Sequence, residues 1–315
     1  MAASLLFGTS PEAQWLVREC SVLARCERPV LIVGETGTGK TTLAKYIHQL
    51  SGRPGEFIAE PAAGLPDSLV HSALAGHSKG AFTGASAPQV GLLEAAHNGT
   101  FFLDDLDAAS PLLQSILLRL LDHGTLRRVG EVRSRELNVR FLAATNADLE
   151  ANVAAKSFRH DILPRFGPFL LPLRPLRERR DEILPLARHF LAAEAQELEW
   201  EDVPSFDDQV ADAFSSAPWR DNIRGLESVC TWIVLHLKPG ERITMAGLPP
   251  TFEATLHPSK RGASRRVTPE RIREAIVVAD GNKSAAARSL NISRMHLHRV
   301  LKNDRGDAPA QAAQL

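Results

Sequence analysis

Residues 30–41 read Val-Leu-Ile-Val-Gly-Glu-Thr-Gly-Thr-Gly-Lys-Thr. Val30 to Val33 is an apolar run with the length of a buried strand. Gly34 to Thr41 fits the pattern GxxxxGK[ST], and Thr42 to Leu50 then reads as a helix. Strand, glycine loop and helix in that order are the context in which this pattern is a P-loop. Its glycines let successive backbone N–H groups turn inward around phosphate, and the helix N-terminus adds positive partial charge. Gly34, Glu35, Thr36, Gly37, Thr38, Gly39, Lys40, Thr41 and Thr42 are therefore the expected nucleotide-binding residues. Lys40 is expected to reach the β- and γ-phosphates of ATP and the Thr41 hydroxyl to ligate Mg2+.

The rest of the chain is consistent with a multidomain globular protein. It has 315 residues, 44% hydrophobic and 23% charged, with room for two or three domains. No apolar run is long enough to span a membrane, and the first residues lack the basic region of a signal peptide. Cys20, Cys26 and Cys230 have no metal or redox spacing and suit a reducing, cytoplasmic setting as ordinary thiols. Charge is unevenly spread. Lys260 to Arg305 carries 12 Lys and Arg against 4 Asp and Glu, a net of +8, which leaves 25 against 33, or −8, elsewhere. A compact basic segment on an acidic body suggests a nucleic-acid module.

Taken in order, Glu12 to Arg25 reads as an amphipathic helix capped by Ser10 with Pro11 at its first position. Trp15, Leu16 and Leu23 give it an apolar side. Glu56 to Glu60 is a second strand, and Asp67 to Ala75 is helical. Gly76 to Ala85 is a glycine-rich loop with Phe82 exposed at its tip, either a plain surface aromatic or a functional one. Gly99 to Asp107 is an apolar run ending in carboxylates, which places Asp104 near magnesium and Asp105 near an attacking water. Leu112, Leu113, Ile116, Leu117, Leu120 and Leu121 form one helical face, most simply core. His123 to Val132 reads as a turn and short hairpin. Val139 to Asn146 is a strand whose polar end faces the ligand crevice of a parallel sheet, so that Thr145 and Asn146 stand near the γ-phosphate. Pro168 to Leu173 is a fifth strand. Between these last two strands, Arg159 and Arg165 are either surface charges or residues supplied to a neighbouring subunit's nucleotide, as arginine fingers are.

Strands alternating with helices predict an α/β fold with a parallel sheet sandwiched by helices over residues 1–173. Residues 174–238 turn helical, with Ile183, Leu186, Ala187 and Phe190, and again Leu226, Val229 and Ile233, at helical spacing; they read as an all-α lid. Residues 239–266 lack a period and read as a linker, and 304–315 as a tail. Over 267–303 three short helices are expected, with Ile272, Ala275, Ile276 and Ala279 on the inner face of the first. The second and third have helix-turn-helix spacing. Lys283, the cap Ser293, and Arg294, Met295, His296, His298, Arg299 and Lys302 form a surface suited to a DNA major groove; a small helical oligomerisation bundle is the other reading. His296 and His298 have no acidic or cysteine partner for a metal.

These segments together resemble the bacterial enhancer-binding proteins, AAA+ activators of sigma-54 RNA polymerase, over nearly the whole chain from Leu5 to Lys302. Gly80-Ala-Phe-Thr-Gly-Ala85 matches the family's GAFTGA loop, which in the family contacts sigma-54. The resemblance implies that Gly80, Ala81, Phe82, Thr83, Gly84 and Ala85 make that contact. It further implies Walker A at Gly34 to Thr41, Walker B at Gly99 to Asp105, a sensor I strand ending at Asn146, arginine fingers at Arg159 and Arg165, a sensor II arginine at Arg224 and a Fis-type helix-turn-helix domain that binds enhancer DNA. An ATPase ring, a hexamer in the family, follows, homomeric or with a homologous subunit.

The chain also departs from the family pattern. Where the family has Asp-Glu in Walker B, Asp104 is followed by Asp105. Glu60 stands where the family has the asparagine that restrains the catalytic glutamate, and the helix at Ala73-Leu-Ala75 lacks the usual Glu-Leu-Phe. Glu60 facing a shortened Asp105 predicts slow hydrolysis, because a misplacement of about 1 Å is worth roughly 10²-fold in rate and paired carboxylates repel or share a proton. A DNA-binding regulator or co-activator subunit with an impaired ATPase is the alternative these residues raise. No receiver or ligand-sensing segment is seen, so the expectation is control in trans by another protein, by expression level or by a co-activator.

Overall fold

The computed structural model describes residues 10–252 together with 272, 275 and 276. The chain divides into two compact units, Met1–Leu256 and His257–Leu315. In the second, Ile272, Ala275 and Ile276 lie on helical backbone and Ile272 is fully buried, as an inward position requires. The DNA-contact expectations at Lys283, Ser293, Arg294, Met295, His296, His298, Arg299 and Lys302 lie outside the described residues.

The first unit is built on a five-stranded parallel sheet. Its strands are β1 (Val30–Gly34), β2 (Phe57–Pro61), β3 (Thr100–Asp104), β4 (Arg140–Thr145) and β5 (Leu170–Leu173), in the order β2-β3-β4-β1-β5. Alternation along each strand sends neighbouring side chains to opposite faces, and both faces are covered. Val30, Ile32, Phe102, Leu142 and Ala144 pack against helices α1 (Pro11–Ala24) and α2 (Lys40–Ser51). Leu31, Phe101, Leu103, Phe141 and Ala143 join the core that holds α3 (Val70–Ala75) and α4 (Pro111–His123).

Local chemistry sets the helix ends. Ser10 Oγ accepts from Ala13 N at 3.1 Å, and Ser110 Oγ from Leu113 N at 3.2 Å, each with proline at the first helical turn. The expected apolar sides hold in the main, with one exception in each helix. In α1 Leu16 and Leu23 are buried as expected, joined by Ala13 and Cys20, whereas Trp15 is exposed. In α4 Leu112 faces outward while Gln114 is buried.

Two short antiparallel pairs project from the body. Gly76–His77 pairs with Gln89–Val90 and frames the Gly80–Ala85 loop. Thr125–Leu126 pairs with Arg135–Glu136. The two are tied together where Val129 N donates to Gly76 O and Ser78 N to Val129 O, both at 3.0 Å.

The lid consists of α5 (Arg180–Glu197), α6 (Asp208–Ser216) and α7 (Asn222–His236) around Leu186, Leu191, Val210, Phe214, Leu226, Cys230 and Ile233. It extends past the expected boundary at residue 238. Arg242–Ile243 pairs with Ser205–Phe206, and Ile243, Leu248 and Phe252 are buried in the lid core. Phe252 lies 5.1 Å from Phe214 and 5.2 Å from Trp219, ring centre to ring centre. Residues 239–252 are thus not linker. Three irregularly spaced apolar residues leave no period to read, yet each fills the core.

Candidate nucleotide site

The glycine loop folds as its sequence requires. Gly37 and Gly39 have φ of 77° and 99°, left-handed values that side chains resist. A Cβ at Gly37 would stand 2.3 Å from Asp221 O in the lid. Lys40, buried at the start of α2, donates from Nζ to Gly34 O at 3.0 Å and Glu35 O at 3.2 Å, so the ammonium lies across the loop. Thr38 Oγ1 donates to Glu35 O at 2.8 Å, and Thr42 is exposed in the first turn of the helix.

The ends of strands β3 and β4 bring two further groups to the loop. Thr41 Oγ1 donates to Asp104 Oδ2 at 3.1 Å. A hydroxyl beside a carboxylate is the hard-oxygen set a magnesium ion takes together with substrate phosphates. Among the described residues, no group of three or more His, Cys, Asp and Glu could hold a metal ion. Asn146 Nδ2 donates to Thr36 Oγ1 at 3.0 Å, and Thr145 Oγ1 donates to Asp107 Oδ1 at 2.5 Å.

Asp105 sits in a left-handed conformation, φ 50°, and its N–H donates to Asp104 Oδ1 at 3.0 Å. Burial, then the Asp104 and Asp107 charges, push its carboxyl above the usual carboxylate range, with Lys40 and Arg224 opposing. The like charges that raise Asp105 are those of Asp104 and Asp107. Glu60 is half-buried at the end of β2, in register with Leu103, and a Cβ at Gly64 would lie 2.8 Å from its Oε1.

Sequence reasoning missed how closely the lid holds the loop. Arg177 makes a bidentate pair with Glu35, at 2.8 and 2.6 Å. Asn222, wholly buried, donates to Thr36 O at 2.9 Å and Glu35 Oε2 at 3.2 Å and accepts from Leu176 N at 2.7 Å. Ile223 N donates to Gly37 O at 2.9 Å. Buried Arg179 donates to Thr38 O at 3.3 Å and to Glu182 Oε2 at 2.9 Å. Glu35 is held down to about 2 by the Arg177 hydrogen bonds and then by Asn222. Arg224 is exposed, with its Cβ 3.3 Å from where a Gly37 Cβ would be. Asn222 lies two residues before Arg224 at the first position of α7, and an Asn at a helix start was the available signal.

The remaining predicted residues lie on the surface. Arg159 pairs with Asp161 at 3.0 and 2.7 Å and Arg165 with Asp122 at 2.5 Å, both half-exposed and neither bonded to the P-loop of its own chain. Within Gly80–Ala85, Gly80 N donates to Ala85 O at 2.8 Å and Ala85 N to Phe82 O at 3.0 Å, which closes the loop on itself. Thr83 and Gly84 are exposed, while Ala85 is buried. Phe82 is 42% exposed, and one face lies 4.9 Å from the His77 ring, so the tip is partly seated.

Comparison with known proteins gives this geometry its context. The family profile described as sigma-54 interaction domain matches residues 6–171, an AAA+ ATPase lid domain matches 177–265, and the Fis-family bacterial regulatory protein domain matches 269–303. The hydrogenase transcriptional regulatory protein HoxA of Cupriavidus necator is 36% identical over 301 residues, 90% of this chain and 62% of that protein. The transcriptional regulatory protein ZraR of Salmonella typhimurium is 38% identical over 93% of this chain and 67% of its own length. The Psp operon transcriptional activator of Escherichia coli is 40% identical over 71% and 69%. Among solved structures, NtrX from Brucella abortus in complex with ATP superposes with a TM-score of 0.70 at 26% identity, covering 94% of this chain and 68% of that one. The chain thus spans about 62 to 69% of the length of these curated relatives.

Proposed function

We propose that this chain, which belongs to the family of AAA+ sigma-54-dependent transcriptional regulators, hydrolyses ATP in a ring and uses that cycle to remodel promoter-bound sigma-54 RNA polymerase. The observation that carries the reading is the Thr41–Asp104 pair, 3.1 Å apart at the mouth of the glycine loop, with Lys40 laid across that loop.

In this reading the loop amides and Lys40 hold the β- and γ-phosphates, and Thr41 and Asp104 hold Mg2+. Held by those two residues, Mg2+ would supply charge neutralisation during phosphoryl transfer. Asp105 orients and polarises the attacking water. Asn146, already bonded to Thr36, reports the γ-phosphate end of the site. Arg224 follows nucleotide state from the lid. Arg159 and Arg165 act on the nucleotide of a neighbouring subunit, which fits their exposure and their lack of contact with their own P-loop. Gly80 to Ala85 presents Phe82 and Thr83 to sigma-54, and the Fis-type domain holds the ring on enhancer DNA. The family to which the chain belongs suggests that the machinery works in the cytoplasm; no described helix is long and apolar enough to cross a membrane.

A second reading, a DNA-binding co-activator with a weak ATPase, is favoured by Asp105 alone: a short carboxylate, on left-handed backbone, with its pKa raised. Sigma-54-dependent transcription in vitro with matched ATP turnover separates the two. Lys40→Ala is expected to abolish both, and Thr83→Ala to keep turnover and lose transcription. Transcription that survives Lys40→Ala refutes the motor, and transcription that survives Thr83→Ala refutes the loop assignment.

A further inference from the structure

Gln114 is the one polar residue on the buried face of α4, 1% exposed among leucines. Its carboxamide is fully engaged. Nε2 donates to Ala109 O at 2.8 Å and to Ser157 O at 3.1 Å, and Oε1 accepts from Arg159 N at 2.9 Å. Both amide hydrogens are used, which is all the donor capacity the group has.

The partners lie at two separate places in the nucleotide machinery. Ala109 closes the short 3-10 turn Leu106–Ala108, which begins directly at Asp105 and carries Asp107. Ser157 and Arg159 flank Phe158, whose ring is buried in the core. The backbone at Arg159 is therefore fixed on one side by Phe158 and on the other by Gln114, while its guanidinium reaches outward to Asp161. An open surface depression lined by Pro111, Gln114, Val153, Lys156 and Asp161 adjoins this segment. A buried glutamine serving only to satisfy backbone groups needs no such placement; any apolar side chain with a re-paired backbone would serve.

We propose that Gln114 is a positioning residue that links the nucleotide held by its own subunit, through the turn after Asp105, to the Arg159 that the subunit presents to its neighbour. This rests on the reading that Arg159 acts across an interface. Gln114 touches neither nucleotide nor the reacting atoms.

The test uses the full chain and mixed rings. Gln114→Met keeps the volume and loses all three bonds. It is expected to lower ATP turnover by about tenfold or more, since a displacement of about 1 Å costs roughly 10²-fold, with nucleotide affinity within about twofold of wild type because Lys40, Thr41 and Asp104 are untouched. Mixing then tells where the defect acts. Lys40→Ala has a dead nucleotide site and a sound Arg159, so mixed with Gln114→Met it is expected to restore turnover to about a quarter of wild type, the share of interfaces that join two sound halves under random mixing. Arg159→Ala mixed with Gln114→Met is expected to restore nothing.

The reverse pattern, rescue by Arg159→Ala and none by Lys40→Ala, places the defect in the nucleotide site and overturns the inference. The control mixture of Lys40→Ala with Arg159→Ala checks the premise: failure there shows that the two residues do not act across an interface, and the inference falls with that reading. Should Gln114→Met not fold, Gln114→Asn, the same groups one methylene short, takes its place in the same mixtures.

Discussion

Replacing Asn222 by alanine tests whether the lid shapes the P-loop or merely rests on it. The side chain is wholly buried and bridges Leu176 N at 2.7 Å, Thr36 O at 2.9 Å and Glu35 Oε2 at 3.2 Å. Alanine leaves the Leu176 N–H buried without a partner, which costs about 1–3 kcal/mol. Position 222 also has φ 53°, a conformation asparagine tolerates and alanine resists by about 1 kcal/mol. A loss near 3 kcal/mol lowers the melting temperature of a unit this size by roughly 6–12 °C. Asn222→Gly relieves the backbone term alone and is expected to recover about 1 kcal/mol of the loss. Asn222→Asp keeps the acceptor for Leu176 N but sets a carboxylate beside Glu35. It should raise Glu35 from its depressed value of about 2, which Asn222 helps to hold down. Thermal unfolding, ATP titration and carboxyl NMR read the three effects. If all three variants stay within about 0.5 kcal/mol of wild type and bind ATP equally, the lid contact is incidental.

Three further outcomes follow from the same geometry. Gly37→Ala puts a Cβ 2.3 Å from Asp221 O on a φ of 77°, so calorimetry is expected to show ATP binding weakened by about tenfold or more, corresponding to at least about 1.4 kcal/mol; unchanged affinity would mean the lid can yield there without consequence. Asp105→Glu restores the missing methylene and should raise steady-state ATP turnover by about tenfold or more, while equal or lower turnover shows that carboxylate length is not limiting. Glu182 is pushed up from 4.5 to about 7 by burial, with Arg179 opposing. The folded chain therefore holds more protons than the unfolded one between those values, and this contribution to stability is complete below pH 4.5 and lost as pH rises through about 7. Glu182→Gln removes that dependence, so the variant's urea midpoint should rise relative to wild type between about pH 5 and about pH 8; parallel curves would falsify the assignment.

Legibility in the sequence tracked the range over which each signal acts. The strand Val30–Gly34, the glycines and the start of α2 are adjacent, and each constrains the next, so the loop could be read directly. Asp104 and Asn146 were legible because a parallel sheet delivers strand ends to one crevice, and the bonds Thr41–Asp104 and Asn146–Thr36 join those ends as the topology requires. Residues 239–252 were misread for the opposite reason. Ile243, Leu248 and Phe252 follow no period, and only the finished lid core gives them a place. Trp15 was misread because the helix phase is set by what α2 and the sheet leave open, which a single helix does not reveal.

The lid contacts define what kind of information was absent altogether. Arg177 meets Glu35 across 142 residues of chain and Asn222 meets Thr36 across 186. Neither pair belongs to a pattern, because a charged or amide side chain on a helix start has many solvated fates and one specific one. Four lid residues, Arg177, Arg179, Asn222 and Ile223, converge on carboxylate or carbonyl oxygens of Glu35, Thr36, Gly37 and Thr38. These contacts engage the loop's acceptors and leave its N–H donors, apart from Thr38 N, which donates to Glu35 O at 3.4 Å, uncommitted to the lid, as a phosphate cradle needs. The lid therefore does more than cover the site: by occupying the acceptors, it orients the donors. Any displacement of the lid would break bonds made to residues 35–38 themselves, so lid and loop backbone share one set of contacts.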